Sequence, residues 1–248
     1  MRPSLIITGA SRGIGAATAR LAAERGYAVC VNYRANEAAA RGVVSAIEAA
    51  GGRAVAVAAD VSVEADVVRL FETVDRELGP LAALVNNAGI LELQTRVERI
   101  DAVRLARVFA TNVTGAFICA REAVRRMSTA GGGAGGAIVN VSSRAAQLGA
   151  PGEYVDYAAS KAALDALTIG LAKEVAAEGI RVNAVRAGII YSDIHASGGE
   201  PGRVDRLGPT LPMQRGGHPI EVARAILWLL SEEASYSTGT FIDVAGGR

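Results

Sequence analysis

Leu5-Ile6-Ile7-Thr8-Gly9-Ala10-Ser11-Arg12-Gly13-Ile14-Gly15, running into the helical pattern of residues 15–25, is the stretch that decides the fold. An uninterrupted apolar run makes a strand buried on both faces, a glycine-rich turn follows it, and a helix opens at once. The glycines permit a tight turn and let backbone amides approach a pyrophosphate at the helix N-terminus. Gly9, Ser11, Arg12, Gly13, Ile14 and Gly15 are therefore expected to hold a dinucleotide. Their spacing, Gly-x-x-x-Gly-x-Gly, departs from the ordinary dinucleotide fingerprint. Its place between a first strand and a first helix supports the reading.

The unit repeats outward along the chain. Apolar runs at 28–32, 54–58, 81–86 and 137–141 alternate with helical patterns at 37–50 and 64–78, and further runs at 181–185 and 240–244 bring the strands to seven. Strands without polar alternation belong to a parallel sheet covered by helices on both faces. The expected class is α/β, a Rossmann-type doubly wound seven-stranded parallel sheet. With 248 residues, half of them hydrophobic, and no linker or internal repeat, residues 1–248 are expected to form one domain. The glycine cluster at 131–136 precedes a strand and no helix, so it reads as a surface loop.

The composition narrows the function. A net charge of +1 with interspersed signs gives no basic footprint for nucleic acid or an anionic membrane. No apolar run reaches the ~18 residues of a membrane span, and no signal-peptide pattern opens the chain. Cys30 and Cys119 lie in apolar stretches without metal-ligand spacing, and His195 and His218 are too few and too separated for a metal site. The expectation is a reduced, cytoplasmic protein.

At the end of the second strand stand Asn32, Tyr33 and Arg34, with no Asp or Glu between Glu24 and Glu37. An acid here would bind the ribose 2′-hydroxyl of NAD(H), whereas an arginine accommodates a 2′-phosphate. Arg12 adds a second cation from the glycine loop, so NADP(H) is expected ahead of NAD(H).

Only 2 of the 26 basic residues are lysines, and one of them, Lys161, follows Tyr157 by four positions in Tyr-Ala-Ala-Ser-Lys. Residues at i and i+4 share a helix face, which brings an ammonium near a phenol. A nearby positive charge favours the phenolate and moves an acid that titrates near ~10 towards neutrality.

Taken in order, six motifs resemble those of the short-chain dehydrogenase/reductases. They are the glycine turn at 8–15, Asp60-Val61, Asn86-Asn87-Ala88-Gly89, Asn112 in Asn-Val-Thr-Gly, Val141-Ser142-Ser143 and Tyr157-x-x-x-Lys161. The run 152–161 and the tail 195–206 resemble a bacterial subset described as glucose-1-dehydrogenase-like or as uncharacterised oxidoreductases. The resemblance implies a homotetramer that moves a hydride between a nicotinamide and a small carbonyl or alcohol substrate. It implies that Asp60 and Val61 flank the adenine and that Asn87, Ala88 and Gly89 line the adenosine ribose. Ser143 would hydrogen-bond the substrate oxygen and Tyr157 would exchange a proton with it. Lys161 would hold the nicotinamide ribose, and Asn112 would anchor a water relaying protons.

Three departures from the family pattern matter. The interval from Ser143 to Tyr157 is one residue longer than in many members, so either Ser142 or Ser143 could be argued, and Val-Ser-Ser favours Ser143. Tyr154 has Ala158, not lysine, four positions on. The usual Pro-Gly is Ala187-Gly188, which frees the backbone before Ile189 and Ile190, while Ser192 keeps the hydroxyl of a customary threonine. Gly188, Ile190 and Ser192 are expected to touch the nicotinamide end of the cofactor.

Residues 191–217, rich in Gly, Pro and Ser, follow the sixth strand at the edge where such sheets bind ligands, and are expected to form a substrate lid. Ile194, Leu207, Leu211 and Met213 would close an apolar wall, with His195, Glu200, Arg203, Asp205 and Arg206 at the entrance. Sugar dehydrogenase, 3-oxoacyl thioester reductase and general carbonyl reductase stay open, beside a non-catalytic NADP(H)-binding sensor.

Overall fold

The computed structural model describes residues 2–248. In chain order the elements are β1 (Ser4–Ile7), α1 (Gly13–Glu24), β2 (Ala28–Tyr33), α2 (Glu37–Ala49), β3 (Arg53–Ala58), α3 (Glu64–Glu77) and β4 (Leu81–Asn86). There follow α4 (Ala102–Phe109), α5 (Gly115–Met127), β5 (Gly136–Ser143), α6 (Ala145–Leu148), α7 (Val155–Val175) and β6 (Ile180–Ala187). The chain closes with α8 (Ile194–Ser197), α9 (Arg203–Leu207), α10 (Pro219–Leu230) and β7 (Phe241–Val244). All seven strands pair in parallel in the order β3-β2-β1-β4-β5-β6-β7.

Strand alternation divides the core into two layers, because successive side chains leave a strand on opposite faces. Leu5, Ile7, Val29, Val31, Val85 and Val139 pack under α1, α2 and α10. Ile6, Cys30, Leu84, Ile138 and Val182 pack under α3, α5 and α7, where Phe71, Cys119, Met127 and Val175 meet them. The edge strands are less covered: β3 and β7 both carry exposed or partly exposed positions, since one side of each lacks a neighbour. Strands β5 and β6 run two residues further than the apolar runs indicate, to Ser143 and Ala187. The ladder continues there through polar Ser142 and Ser143, paired with Arg186 and Ala187.

Helices α4 and α5 join through a π turn, Ala110–Thr114, into one helix over Ala102–Met127. By length and composition alone this helix could cross a membrane, as a core helix also can, although polar residues such as Thr111, Asn112 and Thr114 interrupt its apolar residues. In this fold its Cys119, Ala123 and Met127 lie in the core against the sheet.

Helix α7 carries Tyr157 and Lys161, and its start is held by one ion pair. Arg104 Nε and Nη2 donate to the two Asp156 carboxylate oxygens at 2.7 and 3.1 Å, and the Asp156 side chain is 1% exposed. Burial pushes the Asp156 carboxyl up, but the Arg104 hydrogen bond and charge, together with the hydrogen bonds from the Tyr157 and Asp156 amides, outweigh it and leave the group below the usual carboxylate range. Removing one partner of a buried pair strands the other charge, at a cost of about 3–5 kcal/mol. Arg104→Leu is expected to lower the unfolding free energy in urea by about that amount, and Arg104→Leu with Asp156→Leu to restore most of it. Because the native carboxyl is depressed, the stability that the pair contributes is present above the ordinary carboxylate range. It is lost as pH falls through the native value.

Candidate active site

The chain runs from β1 outward to β3, then crosses back to β4, so the ends of β1 and β4 part at the switch point where ligands bind in such sheets. A cleft of ≈ 420 Å³ opens there.

Its floor is the glycine turn. Gly9 and Gly13 have φ of +62° and +55°, which favours glycine, and a Cβ on Gly15 would stand 2.6 Å from Asn87 Nδ2 and 2.7 Å from the Gly9 carbonyl. The cap residue of α1, Arg12, supplies no side-chain acceptor, no acid stands in the first turn, and the first helical amide bonded is that of Ala16, to the Arg12 carbonyl. The amides of Gly13, Ile14 and Gly15 therefore face the cleft end of a helix with its positive dipole uncompensated. This cradle fits the pyrophosphate of a dinucleotide.

Polar side chains hold the turn in place. Thr8 Oγ1 accepts from the amides of Asn87 and Ala88, both at 3.0 Å, and Asn87 Nδ2 donates to the carbonyls of Thr8 and Gly9. Asn32 Oδ1 accepts from the Gly9 amide at 3.1 Å while its Nδ2 donates to the carbonyls of Val57 and Ala59. Asn32 lines the cleft, yet its amide is fully engaged in tying three strand ends together. Tyr33, Arg34, Asp60 and Val61 line the same end. The Asp60 carboxylate is itself capped by the amide and hydroxyl of Ser62. Arg34 is exposed, and Arg12 stands 4.0 Å from Asp193 across an exposed contact.

The structure brings Asn112, Ser143, Tyr157 and Lys161 together at the other end. Lys161 is buried, its Nζ donates to the Val141 carbonyl at 2.8 Å, and it lies 5.6 Å from the centre of the Tyr157 ring. Desolvation by the surrounding protein pushes the Tyr157 phenol up to about 12, with a hydrogen bond to Ser143 pulling the other way. Burial lowers Lys161 to about 8, with the Asp165 charge opposing it. The expectation that the ammonium brings the phenol towards neutrality is thus reversed. Nζ lies over the ring, it spends one hydrogen on Val141, and desolvation of the phenolate dominates.

The two serines separate cleanly. Ser142 is buried and its hydroxyl donates to the Lys161 carbonyl, whereas Ser143 accepts from the Ala145 amide, donates to the Ala187 carbonyl at 3.4 Å and lines the cleft with Tyr157. Asn112 sits in the π turn, fully buried. Its Oδ1 accepts from the Ile90 amide at 2.8 Å, and its Nδ2 donates to the Ile90 carbonyl and to Ser160 Oγ, both at 3.0 Å. That side chain is committed to Ile90 and Ser160. A Cβ on Gly89 would lie 3.4 Å from Lys161 Nζ and 3.5 Å from Asn112 Oδ1, in ordinary van der Waals contact with both.

Over residues 191–217 the geometry corrects several expectations. Leu207 and Leu211 do not reach the cleft; with Ile189 and Val204 they form a small core of their own. Met213 is exposed, while Ile194 lines the cleft. Glu200 binds Arg203, Arg206 and Gln94, and Asp205 accepts from the Tyr191 hydroxyl, so these polar groups face one another. Arg203 also pairs with Glu153, and the Tyr154 hydroxyl donates to the Gly198 carbonyl at 3.2 Å. Tyr154 is therefore an anchor for this segment. His195 is buried, with Nε2 on the Ile190 carbonyl at 3.0 Å and Nδ1 unpartnered. Ile190 and Gly217 form a parallel bridge that pins the stretch following Ala187-Gly188. Gly188 is needed there, because a Cβ would stand 2.6 Å from Ala245 Cα. Gly188, Ile190 and Ser192 line the cleft.

A family profile described as "Enoyl-(Acyl carrier protein) reductase" matches residues 9–248. The uncharacterized oxidoreductase YgfF of Escherichia coli (strain K12) is 62% identical over 243 residues, covering 98% of both chains. The chain belongs to the short-chain dehydrogenase/reductases. A cis-4-hydroxycyclohexanecarboxylate dehydrogenase of Sinomonas cyclohexanicum is 42% identical over 245 residues, covering 98% of this chain and 94% of its own. A crystal structure of a dehydrogenase/reductase from Sinorhizobium meliloti 1021 superposes with a TM-score of 0.91 at 33% identity, covering 99% of this chain and 94% of that one. As a short-chain dehydrogenase/reductase, the protein is an oxidoreductase acting on hydroxyl or carbonyl groups, in a family that uses a nicotinamide cofactor.

Sequence reasoning overlooked how the far end of the cleft is walled, by Leu91, Leu148, Glu153, Tyr154 and Arg248; Arg203 and His195, expected at the entrance, line the cleft with them. Nothing in their spacing marks them; only the fold gathers them.

A phenol held near 12 leaves a measurable trace. The difference in ultraviolet titration between the wild-type protein and Tyr157→Phe is expected to show one tyrosine ionising well above the ordinary ~10. A midpoint at or below ~10 would contradict the account of burial given above.

Proposed function

We propose that this protein is an NADP(H)-dependent oxidoreductase that interconverts a small-molecule carbonyl and its alcohol, with Ser143, Tyr157, Lys161 and Asn112 as its catalytic set. The observation carrying the reading is the meeting of Ser143, Tyr157 and Lys161 at the end of a cleft whose other end is an anion cradle. When bound, the cofactor supplies the hydride acceptor or donor. The residues of the chain supply orientation and protons.

In the reducing direction, Ser143 and Tyr157 hold the substrate oxygen, and the neutral phenol gives it a proton as it becomes an alkoxide. A phenol well above neutral pH is fully protonated and ready to donate. Lys161, still protonated at neutral pH, stabilises the phenolate left behind and offers its remaining hydrogens to the cofactor ribose. Asn112 fixes Ile90 and the corner beside Gly89, and so shapes the space next to Lys161. Asn87, Ala88 and Gly89 border the ribose side, and Gly188, Ile190 and Ser192 the nicotinamide side. Residues 191–217 form the substrate lid, fastened through Arg203 to Glu153 just ahead of α7.

The preference for NADP(H) over NAD(H) rests on Arg12 and Arg34, with no acid at the end of β2. Exposed apolar residues on the α4–α5–α7 face (Val103, Leu105, Phe117, Ile169), and Trp228 on α10, support a homotetramer. Two buried, unpaired cysteines accord with a reducing, cytoplasmic setting.

Tyr157→Phe is expected to lower turnover of NADPH with a panel of ketones by ~10²–10⁴-fold while leaving cofactor affinity nearly unchanged. More than a tenth of the wild-type rate in that variant would refute the role of the phenol. In parallel cofactor titrations, Arg34→Ala is expected to weaken NADPH by tenfold or more, since charge-assisted phosphate contacts contribute ~1.5–3 kcal/mol, and to leave NADH unchanged. Equal wild-type affinities for the two would defeat the specificity.

A further inference from the structure

The cleft continues past Ser143 and Tyr157, and its far end is lined by three arginines, Arg144, Arg203 and Arg248. Two of them are already engaged. Arg203 is buried, donates to both Glu153 carboxylate oxygens and to Glu200, and lies 5.3 Å from the centre of the Tyr154 ring. Arg144 Nη1 donates to Asp243 Oδ2 at 2.8 Å, and its Nε donates to the main-chain oxygen of Arg248 at 2.7 Å.

Arg248 differs from both. Among the described residues its guanidinium has neither an ion-pair partner nor a hydrogen-bond acceptor. Its place is nevertheless fixed. Gly246 and Gly247 turn the chain with φ of +63° and +88°, and a Cβ on Gly247 would stand 2.8 Å from Pro212 Cβ. The Arg248 amide donates to the Ala245 carbonyl, and Arg144 holds its main-chain oxygen. Burial, with the charges of Arg203 and Arg144, holds the Arg248 guanidinium below its ordinary value, while Glu153 opposes them. An anion placed here would relieve a cation that faces other cations.

The cofactor does not call on this group. In the reading above its phosphates lie at the other end, against the first turn of α1 and beside Arg12 and Arg34. Apolar side chains complete the far end: Leu91, Leu148 and Ile194 line it, and Leu91 and Tyr154 meet over Gly198. A guanidinium with its fork free matches a carboxylate, two oxygens against two N–H groups. A phosphate group carries three acceptor oxygens and more charge, and the neighbouring Arg144 and Arg203 already have acids of their own.

We infer that the substrate is an oxo acid or the matching hydroxy acid, whose carboxylate is taken by Arg248 while its apolar body lies along Leu91, Leu148 and Ile194. The inference rests on the reaction proposed at Tyr157. The carboxylate is a handle and is unchanged in that reaction. In the reducing direction the carbonyl carbon gains the hydride and its oxygen gains the Tyr157 proton.

The probes are levulinate and its longer keto-acid homologues, each beside its methyl ester, with NADPH and the wild-type protein, Arg248→Ala or Arg248→Lys. At one chain length or more, the wild-type protein is expected to favour the acid over its ester by about tenfold in kcat/KM, mostly through KM. Arg248→Ala should bring that ratio close to one. Arg248→Lys should keep part of it, as a point charge without the fork. A wild-type ratio of one or below at every length overturns the inference, and so does a preference that survives Arg248→Ala. Calorimetric titration of the same compounds into the NADPH complex decides the case in which nothing is reduced. An acid bound more tightly than its ester, with the difference lost in Arg248→Ala, supports the carboxylate site and counts against the reaction assigned to Tyr157. Equal binding of acid and ester overturns the inference.

Discussion

All seven strands end at the same edge of the sheet, and where pairing stops their backbone groups still need hydrogen-bond partners. Buried side-chain amides and hydroxyls meet that demand: Thr8 for the β4 end, Asn32 for β1 and β3, and Asn86, Asn140 and Thr168 in a chain beneath them. These groups fix the glycine turn against the end of β4, and with it the direction in which the first turn of α1 points. The site is a consequence of how the sheet edge is finished. The residues that finish it are already engaged, which leaves the unbonded amides of α1 and the side chains of α7 to meet a ligand.

Burial then sets the chemistry. At the Tyr157 end of the cleft it acts on two groups in opposite senses, raising the Tyr157 phenol and lowering Lys161, so each moves towards its uncharged form. The phenol becomes a firm proton carrier. The lysine keeps a single hydrogen bond, to the Val141 carbonyl, which leaves its other hydrogens free. Electrostatic preorganisation of this kind works only if the groups are held before the substrate arrives. The Arg104–Asp156 pair and the bond from Lys161 to Val141 hold α7 in that way.

Apolar runs and glycine punctuation made the sheet legible from the sequence. All seven strands lie where the runs put them, with ends displaced by a residue or two, as at Ser142 and Ser143, where polar residues continue the ladder. The gathering of Asn112, Ser143, Tyr157 and Lys161 was legible too, through short motifs. Individual roles were less so. Asn32 sits at the position for a ribose contact, yet its amide is used by three strand ends, a fact visible only once β1, β2 and β3 are side by side. The π turn at Asn112 has no sequence signature. The salt links of Glu200 and Arg203, and the small core of Leu207 and Leu211, depend on where a loop without periodicity comes to rest.

The most direct test is a crystal structure of the protein grown with NADP⁺. It should show the pyrophosphate against the amides of Gly13, Ile14 and Gly15, the 2′-phosphate between Arg12 and Arg34, and the nicotinamide beside Tyr157 and Lys161. A dinucleotide bound elsewhere, or one lying in the cleft with its nicotinamide away from Tyr157, would contradict the account.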